Sequence, residues 1–142
     1  MKKPSPSELW TLSFELTMSV MAEVEPAVRE QGLETKEFLL LGKLDDHPHP
    51  ADLARALLTP KASITFMVKR MEEAGFVQRQ TDAGDLRRFR LTLTRSGRKA
   101  MEGARAALDE AYGRRLARLS PTERAELART LALLGEERTS PR

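Results

Sequence analysis

From Lys61 to Leu93 the chain carries two different hydrophobic periods back to back. Ile64, Met67, Val68 and Met71 recur at helical spacing, and Gly75 stands where a helix ends in a left-handed cap. Phe76 and Val77 then open an extended stretch, and Thr81-Asp82-Ala83-Gly84-Asp85 has turn composition. From Phe89 the period becomes two: Phe89, Leu91 and Leu93 point one way, Arg88, Arg90 and Thr92 the other. The spacing predicts a helix over 61–74 and a hairpin over 76–94 that buries one side and shows arginines on the other. A helix feeding a basic hairpin constrains the rest of the chain more than any other segment does.

Upstream, Leu53, Ala54 and Leu57 lie at helical spacing between Pro50 and Leu58, and Thr59-Pro60 breaks the chain before Lys61. Two helices across a three- to four-residue break have the helix-turn-helix outline, and the hairpin behind them makes it a winged helix. Before these, Ser5 or Ser7 can cap a first helix reaching about Gln31. It carries two apolar rows, Leu9, Leu12, Leu16, Val20, Val24 and Trp10, Phe14, Met18, Met21, more greasy surface than one small domain usually covers. Pro26 is expected to kink or end it locally. Thr35 is expected to cap a buried second helix with Phe38, Leu39, Leu40, Leu41 and Leu44, ended by the prolines of Asp45-Asp46-His47-Pro48-His49-Pro50. Beyond the hairpin, Thr94 can cap a helix to about Arg118, with Met101, Ala104, Leu108, Ala111 and Leu116 in one row. Ser120-Pro121-Thr122-Glu123 is a capping box for a last helix carrying Leu127, Leu131 and Leu134, and the tail from Glu136 is polar. The fold class expected is mostly α with a small β-hairpin wing.

With 142 residues, this is most simply one domain with room for a real core. No cysteine is present, which excludes disulfides, thiolate metal sites and thiol redox chemistry. No run of about 18 apolar residues offers a membrane span, and the basic start lacks an apolar segment after it, so a cytoplasmic protein is expected. The net charge of +3 is uneven: residues 60–99 hold ten basic and four acidic side chains, +6, which leaves −3 for the remainder. A basic segment on a mildly acidic chain suits a polyanion on one side, although basic faces are common on proteins of every kind.

Lys61, Ser63, Thr65, Phe66 and Lys69 avoid the apolar row of their helix. Hydroxyls can meet phosphates or base edges, lysines neutralise phosphate, and the helix N-terminus adds positive potential. In the hairpin, Asp85 can hold the tip by pairing with a nearby arginine. Arg87 or Arg88 can enter a minor groove, with Arg87 favoured and Arg88 and Arg90 as phosphate contacts. Arg70 completes the expected DNA-binding set. The bland alternative is a solvated hairpin with an ordinary surface ion pair, worth ~0–1 kcal/mol. His47 and His49, the two histidines, stand beside Asp45 and Asp46. Such a cluster is more often a polar turn than a metal site, so no metal, cofactor or catalytic residue is assigned and an enzyme is not expected.

The segments Asp52-Leu53-Ala54-Arg55-Ala56-Leu57, Ser63-Ile64-Thr65, Arg70 to Arg79, Asp85-Leu86-Arg87 and Leu93-Thr94-Arg95-Ser96-Gly97 together resemble the MarR family of bacterial transcriptional regulators. The resemblance implies a single domain over 1–142. Helices at about 5–32 and 95–137 would dimerise, and a winged helix-turn-helix lobe at about 34–94 would bind DNA. It implies a homodimer on a pseudo-palindromic operator, a repressor relieved by a small ligand, with the residue matching Arg87 reading the minor groove. Some members bind small aromatic ligands between the dimer helices and the lobe; Trp10, Phe14, Met18, Phe38 and Met101 would line such a pocket here, the alternative being plain core or dimer packing. Two departures stand out. Phe66 occupies a position where the family often has a polar or basic residue, and either meets a thymine methyl or packs inward; Met71 replaces a usual leucine. The rival class is a winged-helix module that binds protein instead of DNA.

Overall fold

The chain order is α1 (Pro6–Glu30), α2 (Thr35–Lys43), α3 (Pro50–Ala56), α4 (Lys61–Glu73), β1 (Val77–Asp82), β2 (Asp85–Leu93), α5 (Arg95–Leu116) and α6 (Pro121–Gly135). This is a computed structural model; it describes residues 2–136, and of residues 85–87 the backbone alone. The polar tail beyond Glu136 lies outside the described residues.

Ser5 is the cap that starts α1: its hydroxyl accepts from the Glu8 amide, and the Glu8 carboxylate accepts from the Ser5 amide. The helix runs through Pro26 to Glu30 and does not end there. At α2 the capping residue is Glu34 and not Thr35: the Glu37 carboxylate accepts from the Glu34 amide at 2.7 Å, and Thr35 takes the first helical position. A carboxylate three residues on satisfies an orphan N–H as well as a hydroxyl does, and spacing alone did not separate the two.

The helix α3 stops at Ala56, two residues short of the expected end, and Leu58 adopts φ +47°, a left-handed conformation that leucine rarely takes. Its backbone makes the turn into α4, with the Leu58 and Thr59 amides donating to Arg55 and Ala54 carbonyls. The hairpin is longer than its turn composition implied. Its strands run antiparallel from Val77 opposite Leu93 to Thr81 opposite Phe89, and the register shifts before Asp82 meets Asp85. Gly84, at φ +92°, makes the reversal possible in so short a connection.

One buried cluster unites the elements. Val20, Val24 and Val28 of α1 meet Leu40 and Leu41 of α2, Leu53, Ile64, Val68, Met71, Val77 and Leu91, and Ala100, Met101 and Ala104 of α5. The small residues of α5 let α1 come close, and a Cβ on Gly103 would run into the Gln31 side chain at 2.6 Å. A Cβ on Gly97 would overlap the Phe76 carbonyl, so the start of α5 sits directly against the start of the hairpin. The N-terminal half of α1 and all of α6 contribute nothing to this cluster. Leu9, Trp10, Leu12, Phe14, Leu131 and Leu134 stay exposed.

Candidate nucleic-acid interface

The apolar row of α4 is buried as its spacing requires, which turns Lys61, Ser63, Thr65, Phe66 and Lys69 outward. The Thr65 hydroxyl donates back to the Lys61 carbonyl at 3.0 Å, which uses its proton and leaves its lone pairs for a ligand. Phe66 is 71% exposed, so it does not pack inward.

Arg70 behaves differently from its neighbours. Its Nε donates to Glu37 at 2.5 Å, a second nitrogen pairs with the same carboxylate, and it also donates to the Gly32 carbonyl at 3.3 Å. Glu37 is 1% exposed, the buried charged residue among those described. Hydrogen bonding to Glu37 raises the Arg70 pKa above its ordinary value, so the guanidinium stays charged. Arg70 therefore ties α4 to α2, where sequence reasoning had grouped it with the DNA contacts.

The hairpin is held to the helices at three places. Thr94 donates its hydroxyl to the Gly75 carbonyl at 2.5 Å, accepts from the Gly97 amide at 3.0 Å, and donates its own amide to Phe76 at 3.0 Å. Arg79 of β1 donates to Glu72 of α4 at 2.6 Å and lies over the Phe89 ring, 4.4 Å from its centre. On the outer edge of β2 the Leu91 amide donates to the Pro48 carbonyl at 2.8 Å. His49 adds a ring contact to the Phe89 carbonyl at 3.2 Å and lies 3.7 Å from the Asp82 carboxylate. His49 is thus a fastener between the α2–α3 loop and the wing. Among the described residues no group of three acidic or histidine side chains could hold a metal.

These attachments bring α3, α4 and the hairpin around one cleft of about 360 Å³, with Arg55, Lys61, Thr65, Arg79 and Arg88 on its walls. Arg88 and Arg90 are exposed on β2. The side chains of Asp85 and Arg87, the expected tip support and minor-groove reader, lie outside the described residues. Arg55, Arg79 and His49 were not in the sequence-based set. Arg79 carried a signal, its alternation with Val77, but its partners Glu72 and Phe89 come from other elements.

The five residues expected to line a ligand pocket are not brought together. Phe38 and Met101 are core residues, whereas Trp10, Phe14 and Met18 lie on the exposed half of α1. Both apolar rows of α1 divide along the helix and not from each other: their N-terminal members Leu9, Trp10, Leu12, Phe14, Leu16 and Met18 are exposed, and Val20, Met21 and Val24 join the core, a division that helical spacing cannot reveal. An apolar cleft of about 300 Å³ exists instead between α1 and α5, lined by Leu16, Thr17, Val20, Met21, Leu108 and Tyr112.

A helix-turn-helix followed at once by a β-hairpin, with basic residues from both along one cleft, defines a winged helix-turn-helix protein. The MarR family model matches residues 31–88, and the chain is 36% identical over 118 residues to the HTH-type transcriptional repressor Rv2887 of Mycobacterium tuberculosis, covering 81% of this chain and 84% of that one. The chain belongs to the MarR family of transcriptional regulators. The transcriptional activatory protein BadR of Rhodopseudomonas palustris is 37% identical over 82 residues, 54% of this chain and 46% of its own. Among solved structures, Mycobacterium tuberculosis Rv2887 in complex with p-aminosalicylic acid aligns with a TM-score of 0.73 at 30% identity, over 90% of this chain and 98% of that one. A Staphylococcus aureus MepR–DNA complex aligns at 0.71 with 21% identity, over 93% and 97%, and speaks for the fold alone.

Proposed function

We propose that this protein is a homodimeric, sequence-specific double-stranded-DNA-binding repressor of transcription. The observation that carries the reading is the shared cleft: the first turn of α4 and the wing present Lys61, Thr65, Arg79 and Arg88 on one side of the molecule. Outward Ser63, Phe66 and Lys69 continue that surface along α4. In this reading α4 enters the major groove, Lys61, Lys69, Arg88 and Arg90 neutralise phosphates, and the wing with Arg87 lies along the adjacent backbone and minor groove. Asp85 supports the wing tip, and Arg70 serves as the brace of α4, outside the contact set.

Repression, and not activation, is favoured by similarity to the repressor Rv2887 over most of both chains, against similarity to the activatory protein BadR over about half. Dimerisation is supported by the exposed apolar surface of α1 and α6, with Trp10 at 72% and Leu134 at 77% exposure. The two helix regions at 5–32 and 95–137 would clasp a second copy and hold two lobes about one helical turn apart, ~34 Å. Relief by a small aromatic acid is supported by the Rv2887 complex and by the apolar cleft between α1 and α5, the two long helices of the expected dimer region. A ligand there would favour a lobe spacing that no longer matches the operator.

A binding selection from random duplexes at defined salt tests the reading. The expected product is a palindromic site, bound with an affinity that falls steeply with salt. Lys61→Ala and Arg88→Ala should each reduce the salt slope by about one unit, counted per half-site. Failure to enrich any duplex would favour a protein-binding module. Salicylate added to the preformed complex should weaken it; an unchanged affinity would remove the ligand from the reading and leave DNA binding intact.

A further inference from the structure

We infer that Phe66 is a specificity-determining residue that reads the 5-methyl group of a thymine in each half of the operator. The inference rests on the DNA-binding reading above. Phe66 is a phenyl ring 71% exposed to water in the middle of α4, while Ile64, Met67, Val68 and Met71 of the same helix supply its core contacts. Its ring adds nothing to the buried cluster, so folding does not account for it. On the outward face of α4 its neighbours are small or cationic, with Ala62 and Ser63 one turn before it, Lys69 three residues after and Lys61 at the helix start, while the groove on its other side is shared with Glu34, Lys36 and the Glu37–Arg70 pair.

This surface is polar and positive at both ends and apolar at its centre. The cationic ends match the phosphate strands that flank a major groove, whose walls are about 12 Å apart. The centre then faces base edges. A phenyl ring has no donor or acceptor, so it cannot read the hydrogen-bonding pattern of any base pair. The thymine 5-methyl is the one apolar feature that unmodified DNA offers in that groove. Covering that methyl with the ring removes apolar area of both partners from water, whereas cytosine in the same place would leave its amino group facing an apolar surface without a partner. The Ser63 hydroxyl, one turn away on the same face, is placed to address the neighbouring base or phosphate. The operator half-site should therefore carry an obligatory thymine, and its requirement should be for the methyl group and not for the base-pairing edge.

The test replaces each thymine of the enriched duplex by uracil, which removes the methyl and nothing else, and measures affinity at fixed salt for wild type and Phe66→Ala. The wild type should lose about five- to tenfold at one symmetry-related thymine pair and little elsewhere. Phe66→Ala should bind the thymine duplex weaker by a similar factor and no longer distinguish it from the uracil duplex, while Phe66→Leu should retain part of the discrimination. The wild-type uracil scan stands even if a variant folds poorly. Equal binding of every uracil duplex by wild type, or undiminished discrimination by Phe66→Ala, would overturn the inference while leaving DNA binding in place. Absence of any enriched duplex would overturn both.

Discussion

At Glu37 a carboxylate sits where water scarcely reaches, and Arg70 is what makes that tolerable. The two nitrogens of Arg70 and the Glu34 amide together satisfy the buried carboxylate. Removing the arginine should therefore cost far more than a surface pair would. Because the arginine itself is over a third exposed and partly screened, Arg70→Ala should lower stability by about 2–3 kcal/mol, below the full value for a deeply buried pair. Urea unfolding would measure it, and Arg70→Met combined with Glu37→Leu should recover most of the loss. Under folding conditions Arg70→Ala should leave the salt slope of DNA binding unchanged, in contrast to Lys61→Ala; a slope reduced by one would return Arg70 to the contact set. None of this was legible in the sequence, since Glu37 and Arg70 stand 33 positions apart and each looks like a surface charge. Phe66 was half legible: its place off the apolar row was readable, its exposure was not.

Among the elements, those read best had local signals. The capping box at Ser120 starts α6 in the structure as its spacing predicts, Ser5 of the two serines offered caps α1 and does so through a box of its own, and Gly75 ends α4 at φ +81°. The same boxes carry a pH dependence. Hydrogen bonds from the Ser5 backbone and hydroxyl hold Glu8 below its ordinary 4.5, and Ser120 does the same for Glu123. With the folded value depressed, this stabilisation is complete above about 4.5 and is lost as pH falls through the lower folded value. Amide exchange in the first turn of α6 should therefore quicken several-fold between pH 6 and 3 once corrected for intrinsic rates, and Ser120→Ala should show the faster exchange already at pH 6. Where an element's end depended on tertiary partners, sequence reading slipped. α3 ends early, at Ala56, because Leu58 turns the chain into α4, and the hairpin strands, within the expected 76–94, run on into the turn composition as far as Asp82 and Asp85.

At the level of the whole molecule, the unspent feature is apolar surface. The chain leaves Leu9, Trp10, Leu12 and Phe14 of α1 and Leu131 and Leu134 of α6 open to water, and an open cleft brings Trp10 near Leu134. Contiguous apolar exposure on that scale is usually covered by another molecule. Trp10→Glu with Leu134→Glu should give a folded monomer by sedimentation equilibrium, since neither residue is in the core. Loss of the second lobe should weaken operator binding by at least about a hundredfold. A double variant that sediments as a dimer would move the interface elsewhere.

What the sequence determined by itself was set by neighbours a few residues apart: the Thr94 and Ser120 caps, the helical row of α4, the alternation of β2, the surplus rows of α1, and hence a winged helix with greasy flanking helices. Those depend on backbone hydrogen bonding and on 3.6- and two-residue periods, which a linear chain displays. Tertiary structure alone decided which half of α1 joined the core, that Arg70 braces a buried glutamate, that Arg79 and His49 fasten the wing, and that Phe66 faces out. Each of those depends on which side chains arrive from distant elements to share burial or charge, and no spacing along the chain encodes that meeting.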